Sequence, residues 1–283
     1  MIIADQWKDY ELIMTGDGQK LERWGEYVLK RPDPQAIWPP GREWPAAHGV
    51  YHRSAKGGGS WDFKEKLPGR WTVAYGDLRF HVEPTGFKHT GLFPEQAVNW
   101  DYMMKKISGE KRKPSILNLF AYTGGASVAC ASAGASVCHV DASKGMVADA
   151  KENLALSGLE DRPVRFIVDD CIKFVNREIR RNSRYAGIIM DPPAYGRGPS
   201  GELWKIEDKL YELIALCVSL LSDQPLFFLV NSYTGSVSPV LIENIFRMLL
   251  KGKGGSVTSH ELGLKATGQD VVLPCGFTVR WEA

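Results

Sequence analysis

SILNLFAYTGGASVACASAGASVCHVD (115–141) is the stretch that decides the fold. Residues 115–120 are mostly apolar and read as a buried strand. Gly124 and Gly125 follow and open a helix of small residues over 126–133. A second apolar run, 135–140, reads as the next strand and ends on Asp141. Two all-apolar strands joined through a glycine turn and a helix make a parallel βαβ unit, and parallel sheets are covered on both faces.

The same alternation continues downstream. Ser143 stands at an N-cap position before a helix over 144–157, with Met146, Val147, Ala150 and Leu154 on one face. VRFIV (164–168) is a strand, Ile172, Val175 and Ile179 mark a helix, and AGIIM (186–190) is the fourth strand. Residues 206–222 read as a helix, PLFFLV (225–230) as the fifth strand, and Leu241, Ile245, Met248 and Leu249 as another helix. SVTSHEL (256–262) and CGFTVRW (275–281) close the chain as two strands without a helix between them, so one terminal strand runs antiparallel. The fold expected is α/β: a Rossmann-like, seven-stranded, mostly parallel sheet.

Upstream, 94–107 has a helical pattern with Pro94 at its start. The residues before it differ in character. Short β-like runs at 10–13, 27–29 and 71–75 are separated by the turn-rich GDGQ, RPDP, WPPG, KGGGSWD and LPGR, and Gly76-Asp77 joins WTVAY to LRFHVEP as a hairpin. Six of the nine Trp precede position 75, which marks the region as a separate small module. The expected division is a β-rich N-terminal module over 1–85 and an α/β domain over 86–283.

In open parallel sheets ligands bind outside the carboxyl ends of the strands. Each strand here runs into residues suited to that place. The first runs into Gly124 and Gly125, where the backbone can approach a ligand or simply turn tightly for packing, and where a helix N-terminus can face an anion. The second ends at Asp141, an acceptor for two ribose hydroxyls or an N-cap. The third ends at Asp169-Asp170-Cys171, with a carboxylate for an adenine amine. The fourth ends at Asp191-Pro192-Pro193-Ala194-Tyr195. Two prolines fix the backbone there, and hold the Asp191 carboxylate and the Pro192 carbonyl as stiff acceptors, with Tyr195 placed to stack on a flat substrate. Neither a P-loop nor a three-glycine dinucleotide fingerprint is present.

The motifs NLFAYTGGASV, VDAS, DD and MDPPAY, with TGLFPEQ (90–96) before them, resemble those of class I S-adenosylmethionine-dependent methyltransferases. Within that class the chain is similar to the bacterial 23S ribosomal RNA methyltransferases that make 5-methylcytosine or 7-methylguanine. That family has a run like TGxFLDQR, a FxYTGG loop and a DPPxF loop. Here Pro94-Glu95 replaces Leu-Asp, Ala97 stands for Arg, and Tyr195 stands for Phe. The first eighty residues depart from the RNA-binding PUA module of some members. The resemblance implies S-adenosyl-L-methionine as cofactor, held by Gln96, Phe120, Gly124, Asp141, Ser143, Asp170 and Cys171. It implies RNA, ribosomal RNA or its precursor, as partner.

Carbon-5 of cytosine needs a thiolate to add first, and members that methylate it carry a Cys after the fifth strand. Here that strand ends Val230-Asn231-Ser232-Tyr233. A base nitrogen is therefore the expected acceptor, with Asp191, Pro192, Pro193 and Tyr195 as the catalytic set and Asn231 orienting the base. Arg197, Trp204 and Lys205, in a loop over 196–205, suit a phosphate-bearing substrate. Competing readings are a protein or small-molecule methyltransferase, an RNA-binding module that kept the fold, and a nicotinamide oxidoreductase, against which the second acid after the third strand argues.

The bulk sequence narrows the rest. Among 283 residues, 44% are hydrophobic, 24% are charged, and the net charge is +2. No apolar run reaches the ~18 residues of a membrane span, and 1–13 does not resemble a secretory signal. Cys130, Cys138, Cys171, Cys217 and Cys275 form no Cys-x-x-Cys pair and are expected as buried thiols in a reducing cytoplasm. His48 and His52 lack the helix and third ligand that a metal site needs. No metal is expected.

Overall fold

The computed structural model describes residues 1–54, 58–86, 88–233 and 235–283. Its contacts divide the chain into two units: Met1–Val98 with Leu262–Cys275, and Asn99–Glu261 with Gly276–Ala283.

The first unit begins with the two-residue β1 (Ile2–Ile3). Then β2 (Tyr10–Gly16), β3 (Gln19–Trp24), β4 (Tyr27–Pro32), β5 (Gly49–Arg53) and β6 (Gly59–Phe63) form a five-stranded sheet in that order. Met14, Leu21 and Ala47 make its small core. β7 (Trp71–Tyr75) and β8 (Leu78–Val82) form the expected hairpin, with Gly76 at φ +56°. Strand β3 is absent from the sequence reading because QKLERW looks solvated. One of its three buried residues is a carboxylate: between Leu21 and Trp24, Glu22 is fully buried, accepts from Tyr10 Oη at 2.8 Å, and pairs with Arg31 at 2.6 Å. Burial opposes ionisation of Glu22, but Arg31 and Lys20 outweigh it and hold the carboxyl below its ordinary range. Part of the expected KGGGSWD turn, 56–57, lies outside the described residues, and 59–62 belong to β6. The Nδ1 of His48 accepts from the Val28 N–H at 2.8 Å, which ties β4 to the chain entering β5.

The second unit alternates as expected. After a 3₁₀ turn at Pro94–Gln96 come α1 (Ala97–Ser108), β9 (Ser115–Leu119), α2 (Gly125–Ser132), β10 (Ser136–Asp141), α3 (Lys144–Leu156), β11 (Val164–Val168), α4 (Cys171–Arg180) and β12 (Gly187–Met190). A short hairpin, β13 (Tyr195–Arg197) and β14 (Leu203–Lys205), precedes α5 (Ile206–Val218), β15 (Phe227–Ser232), α6 (Pro239–Leu249), β16 (Ser256–Lys265) and β17 (Val272–Glu282). The sheet order is β1-β16-β17-β15-β12-β9-β10-β11. Strands β15, β12, β9, β10 and β11 are parallel, and β17 is antiparallel to β15. Every residue of β12 and β15 is buried, as strands covered on both faces require. Each large side chain there, such as Phe227 or Phe228, contributes roughly 1.5–3 kcal/mol by leaving water.

Two readings change. An eighth strand joins the sheet, because Ile2 and Ile3 pair with Leu262 and Gly263. Helix α5 stops at Val218 instead of 222. Leu220 gives its carbonyl to the Tyr185 N–H, and Ser222 donates to the Tyr185 carbonyl, so 220–222 are drawn out alongside the residues leading into β12.

Candidate functional site

Register places the motif residues on one line across the second unit. Leu119 is paired with Val140 on one side and with Met190 on the other. Met190 is paired with Val230, and Asp141 with Val168. All five strands point the same way, so the motif residues gather toward one edge of the sheet: Phe120 after β9, Asp141 at the end of β10, Asp169 and Asp170 after β11 and Asp191 after β12, with Asn231 still inside β15 and paired with Thr278. With strands ~4.8 Å apart, the tips of β10 and β12 stand about 10 Å from each other.

The loop after β9 holds an unusual backbone. Phe120 (φ +54°) and Tyr122 (φ +49°) are both left-handed, at roughly 1–3 kcal/mol each for non-glycine residues. Asp141 holds it in place. Its Oδ2 accepts from the Tyr122 N–H at 2.9 Å and its Oδ1 from the Ser143 N–H at 2.8 Å. Hydrogen bonds to a charged acceptor contribute about 1.5–3 kcal/mol each and offset the strain. Two further bonds clamp the loop: the Asn153 side chain donates to the Thr123 carbonyl at 2.8 Å, and the Ala121 N–H donates to the Val140 carbonyl at 3.1 Å. Asn153 was not singled out from the sequence; a polar residue within the buried stripe of α3 is the available signal.

Both glycines approach protein. A Cβ on Gly124, which has φ +88°, would lie 2.8 Å from Ala150 Cβ, and one on Gly125 would lie 2.6 Å from the Trp100 ring. Tight packing against α3 and α1 therefore requires them, and brings the first turn of α2 to the sheet edge. Ser143 caps α3 by accepting from the Met146 N–H, and Asp170 caps α4 by accepting from the Lys173 N–H at 2.9 Å. Asp169 is ion-paired with Arg177.

The donor set fits an adenosyl group. Asp141 accepts from the backbone N–H groups of Tyr122 and Ser143, with Ala142 as a third, and a carboxylate has about four lone-pair sites, so acceptor capacity remains for a ribose hydroxyl. Asp170 commits Oδ1 to its helix, and Oδ2 can take an amine. Burial raises the Asp141 carboxyl above its usual range, and the N–H bonds from Ser143 and Tyr122 partly counter this. Cys171 is buried and its thiol is pushed well up by burial. Gln96 belongs to the other unit, where it is buried in the 3₁₀ turn at Pro94–Gln96.

After β12 the chain does not form an open loop. In the β13–β14 hairpin, Tyr195 lies opposite Lys205, and Arg197 opposite Leu203. These four share one exposed face. Gly196 and Trp204 take the other face, where Trp204 is buried. Its ring packs on Phe120 at 4.8 Å between centroids, and its indole N–H donates to the Pro193 carbonyl at 2.6 Å. Trp204, expected at a substrate, thus ties the proline motif to the glycine loop. Trp204→Phe keeps the ring and removes this bond. A stability loss of about 1 kcal/mol by chemical denaturation is expected, with slower turnover and unchanged affinity for S-adenosylhomocysteine.

Asn231 is also held inside. It accepts from the Asn99 side chain at 3.0 Å, and Asn99 accepts from Arg280 at 2.6 Å. All five cysteines are buried and burial pushes each thiol up, Cys138 to about 11.

Residues 41–223 match a family model described as S-adenosylmethionine-dependent methyltransferase. The chain is 36% identical over 154 residues to the ribosomal RNA large subunit methyltransferase K/L of Shewanella frigidimarina, a stretch that is 53% of this chain and 20% of that protein. The protein of the same name from Shewanella baltica matches to the same extent. The chain thus spans about a fifth of the length of these curated relatives. A crystal structure of a SAM-dependent methyltransferase from Agrobacterium tumefaciens aligns with TM-score 0.95 at 38% identity, over 99% of this chain and 92% of that one. A Streptococcus mutans protein described as a candidate SAM-dependent methyltransferase shares the fold, with TM-score 0.78 at 17% identity over 99% of this chain and 76% of that one.

Proposed function

Because the chain belongs to the S-adenosylmethionine-dependent methyltransferase family, we propose that it methylates a ring or exocyclic nitrogen of a nucleobase in large-subunit ribosomal RNA. S-Adenosylmethionine is the methyl donor and, when bound, supplies an electrophilic methyl group on a sulfonium. In-line displacement then asks the protein for position and orientation. In this reading Asp141 takes the ribose hydroxyls, and Asp170, beside Cys171, takes the adenine amine. Phe120, Gly124 and Ser143 complete the pocket within this unit. Asp191 and the Pro192 carbonyl accept the N–H of the acceptor group, and Pro193, pinned by Trp204, keeps them still. This chemistry is assigned to residues 86–283.

The single observation that carries the nitrogen target is the state of the cysteines. Adding to carbon-6 of cytosine needs an accessible thiolate, and every thiol here is buried and pushed toward its neutral form. The ribosomal RNA target is supported by the names of the matched relatives and by the exposed face of the β13–β14 hairpin, where the Tyr195 ring adjoins Arg197 and Lys205. An aromatic platform flanked by cations suits a base and its neighbouring phosphates.

Transfer of labelled methyl groups from S-adenosylmethionine to ribosomal RNA from a deletion strain, followed by nucleoside analysis, tests this directly. Label in an N-methylated nucleoside is expected. Label in 5-methylcytosine, or in protein alone, would refute it. Tyr195→Ala should lower kcat/KM in the same assay by about 10–100-fold, the effect of losing one stacked base.

A further inference from the structure

The charged side chains of the second unit are sorted by sheet edge. At the carboxyl ends of the parallel strands, 120–124, 141–143, 169–170 and 191–205 hold five Asp or Glu and two Lys or Arg. At the opposite edge, the turns 109–114, 157–163, 181–186, 219–226 and 250–255 hold eight Lys or Arg and four Asp or Glu. The chain as a whole is only +2, so the second edge is a local basic surface and not a reflection of composition.

That edge is also continuous. The Ala186 N–H donates to the Ser115 carbonyl at 2.7 Å, the Leu226 N–H to the Ala186 carbonyl at 2.7 Å, and the Ala283 N–H to the Leu226 carbonyl at 3.3 Å. The Trp281 indole donates to the Gly254 carbonyl at 2.9 Å. Arg112 bonds to the Gln224 side chain at 2.7 Å and joins two of the turns. Lys111, Lys113, Lys251 and Lys253 are exposed along this rim, and none makes an ion pair among the described residues. Arg184 is exposed too and, among the described residues, bonds only to the Ser183 carbonyl, at 2.8 Å.

Helix dipoles do not account for these cations. Several helices end at this edge, and Lys105 and Lys106 of α1 and Arg177 and Arg180 of α4 sit in their last turns, where a cation is stabilising. The effect falls off within the last turn. Lys111, Lys113 and Lys253 lie beyond it, on turns already held by backbone bonds.

We propose that this edge is a phosphate-binding surface for a folded RNA, separate from the methyl-transfer end. The inference rests on the RNA reading of the site above and adds the kind of RNA that is recognised. The acidic strand tips attract a cationic sulfonium and repel a polyanion, so the two cations of the β13–β14 hairpin need a second basic surface to hold a large RNA. Five-residue strands span about 17 Å. An RNA touching both edges has to span more than that, which a folded body does without the entropic cost of ordering a flexible strand along the way.

The test compares the wild-type protein with a Lys111→Glu, Lys113→Glu, Lys251→Glu, Lys253→Glu variant. Binding of deproteinised large-subunit ribosomal RNA and of a short unstructured oligoribonucleotide is measured over a range of KCl concentrations. A parallel Lys→Gln variant and circular dichroism control for folding. For the ribosomal RNA, reversal is expected to weaken binding at least tenfold and to make the slope of log K against log salt shallower by about 0.7–0.9 for each phosphate that is no longer neutralised. Affinity for the oligoribonucleotide is expected to fall by a smaller factor and with a smaller change of slope, because it spans fewer phosphates, and affinity for S-adenosylhomocysteine is expected to stay unchanged. If the wild type methylates ribosomal RNA and reversal leaves affinity and slope alone, the surface is wrong and the site reading stands. If the wild type neither binds nor methylates RNA, both fall.

Discussion

Asp141→Ala is expected to weaken S-adenosylhomocysteine binding by at least about 100-fold and to destabilise the protein by about 3 kcal/mol. One carboxylate has two tasks. Inward, it holds the left-handed Tyr122 and the Ser143 turn through two N–H bonds. Outward, in the proposed reading, its remaining acceptor capacity takes the ribose. Asp141→Asn separates the tasks. The amide oxygen replaces one acceptor, so denaturation should show a smaller loss of stability while calorimetry still shows weak binding. Acidity gives a second check. Burial raises this carboxyl's pKa, so the folded state takes up the proton more readily than the unfolded chain. This group's contribution to stability is therefore greatest at low pH and is lost as pH rises through the interval between the ordinary and the raised value. Cofactor binding has the opposite sign, because it needs the ionised form. Affinity should fall on acidification at a pH where a surface Asp is still charged, and the Asn variant should lack that step.

The second large effect is expected at the proline motif. Asp191→Ala should lower kcat by roughly 10²–10⁴-fold, the usual range for a group that handles a proton at the reacting atom, with S-adenosylhomocysteine affinity unchanged. The carboxylate follows a fully buried strand and precedes two prolines whose second carbonyl is bonded to a buried indole. It therefore has little freedom to compensate for a misplaced acceptor, and little of its role can be assumed by water. Single-turnover labelling and calorimetry on the same preparation check both halves. Loss of affinity together with rate would move Asp191 out of the transfer step.

The sheet was legible because its strands are apolar on both faces and its helices are not. GIIM and FFLV admit no other placement in a chain that alternates in this way. The line of acids was legible for the same reason: once five strands are parallel, each motif end falls at one edge. What escaped was structure built from polar residues. Strand β3 looks solvated because Glu22 lies inside with Arg31 and Tyr10. The 196–205 segment has the glycines and charges of a mobile loop, and only the three-dimensional pairing of Gly196 with Trp204 shows that its aromatic turns inward to Phe120. From the sequence the glycines suit either a ligand's approach or tight packing, and the atoms a Cβ would meet belong to Ala150 and Trp100. Sequence spacing shows that something comes close to a glycine, but not what.

A crystal structure of the protein with S-adenosylhomocysteine tests the central claim most directly. The account expects the ribose hydroxyls on Asp141, the adenine between Asp170 and Phe120, and the sulfur turned toward Asp191 and Pro192. A nucleoside bound away from the ends of β9, β10, β11 and β12, or one that leaves Asp141 bonded only to Tyr122 and Ser143, would contradict it.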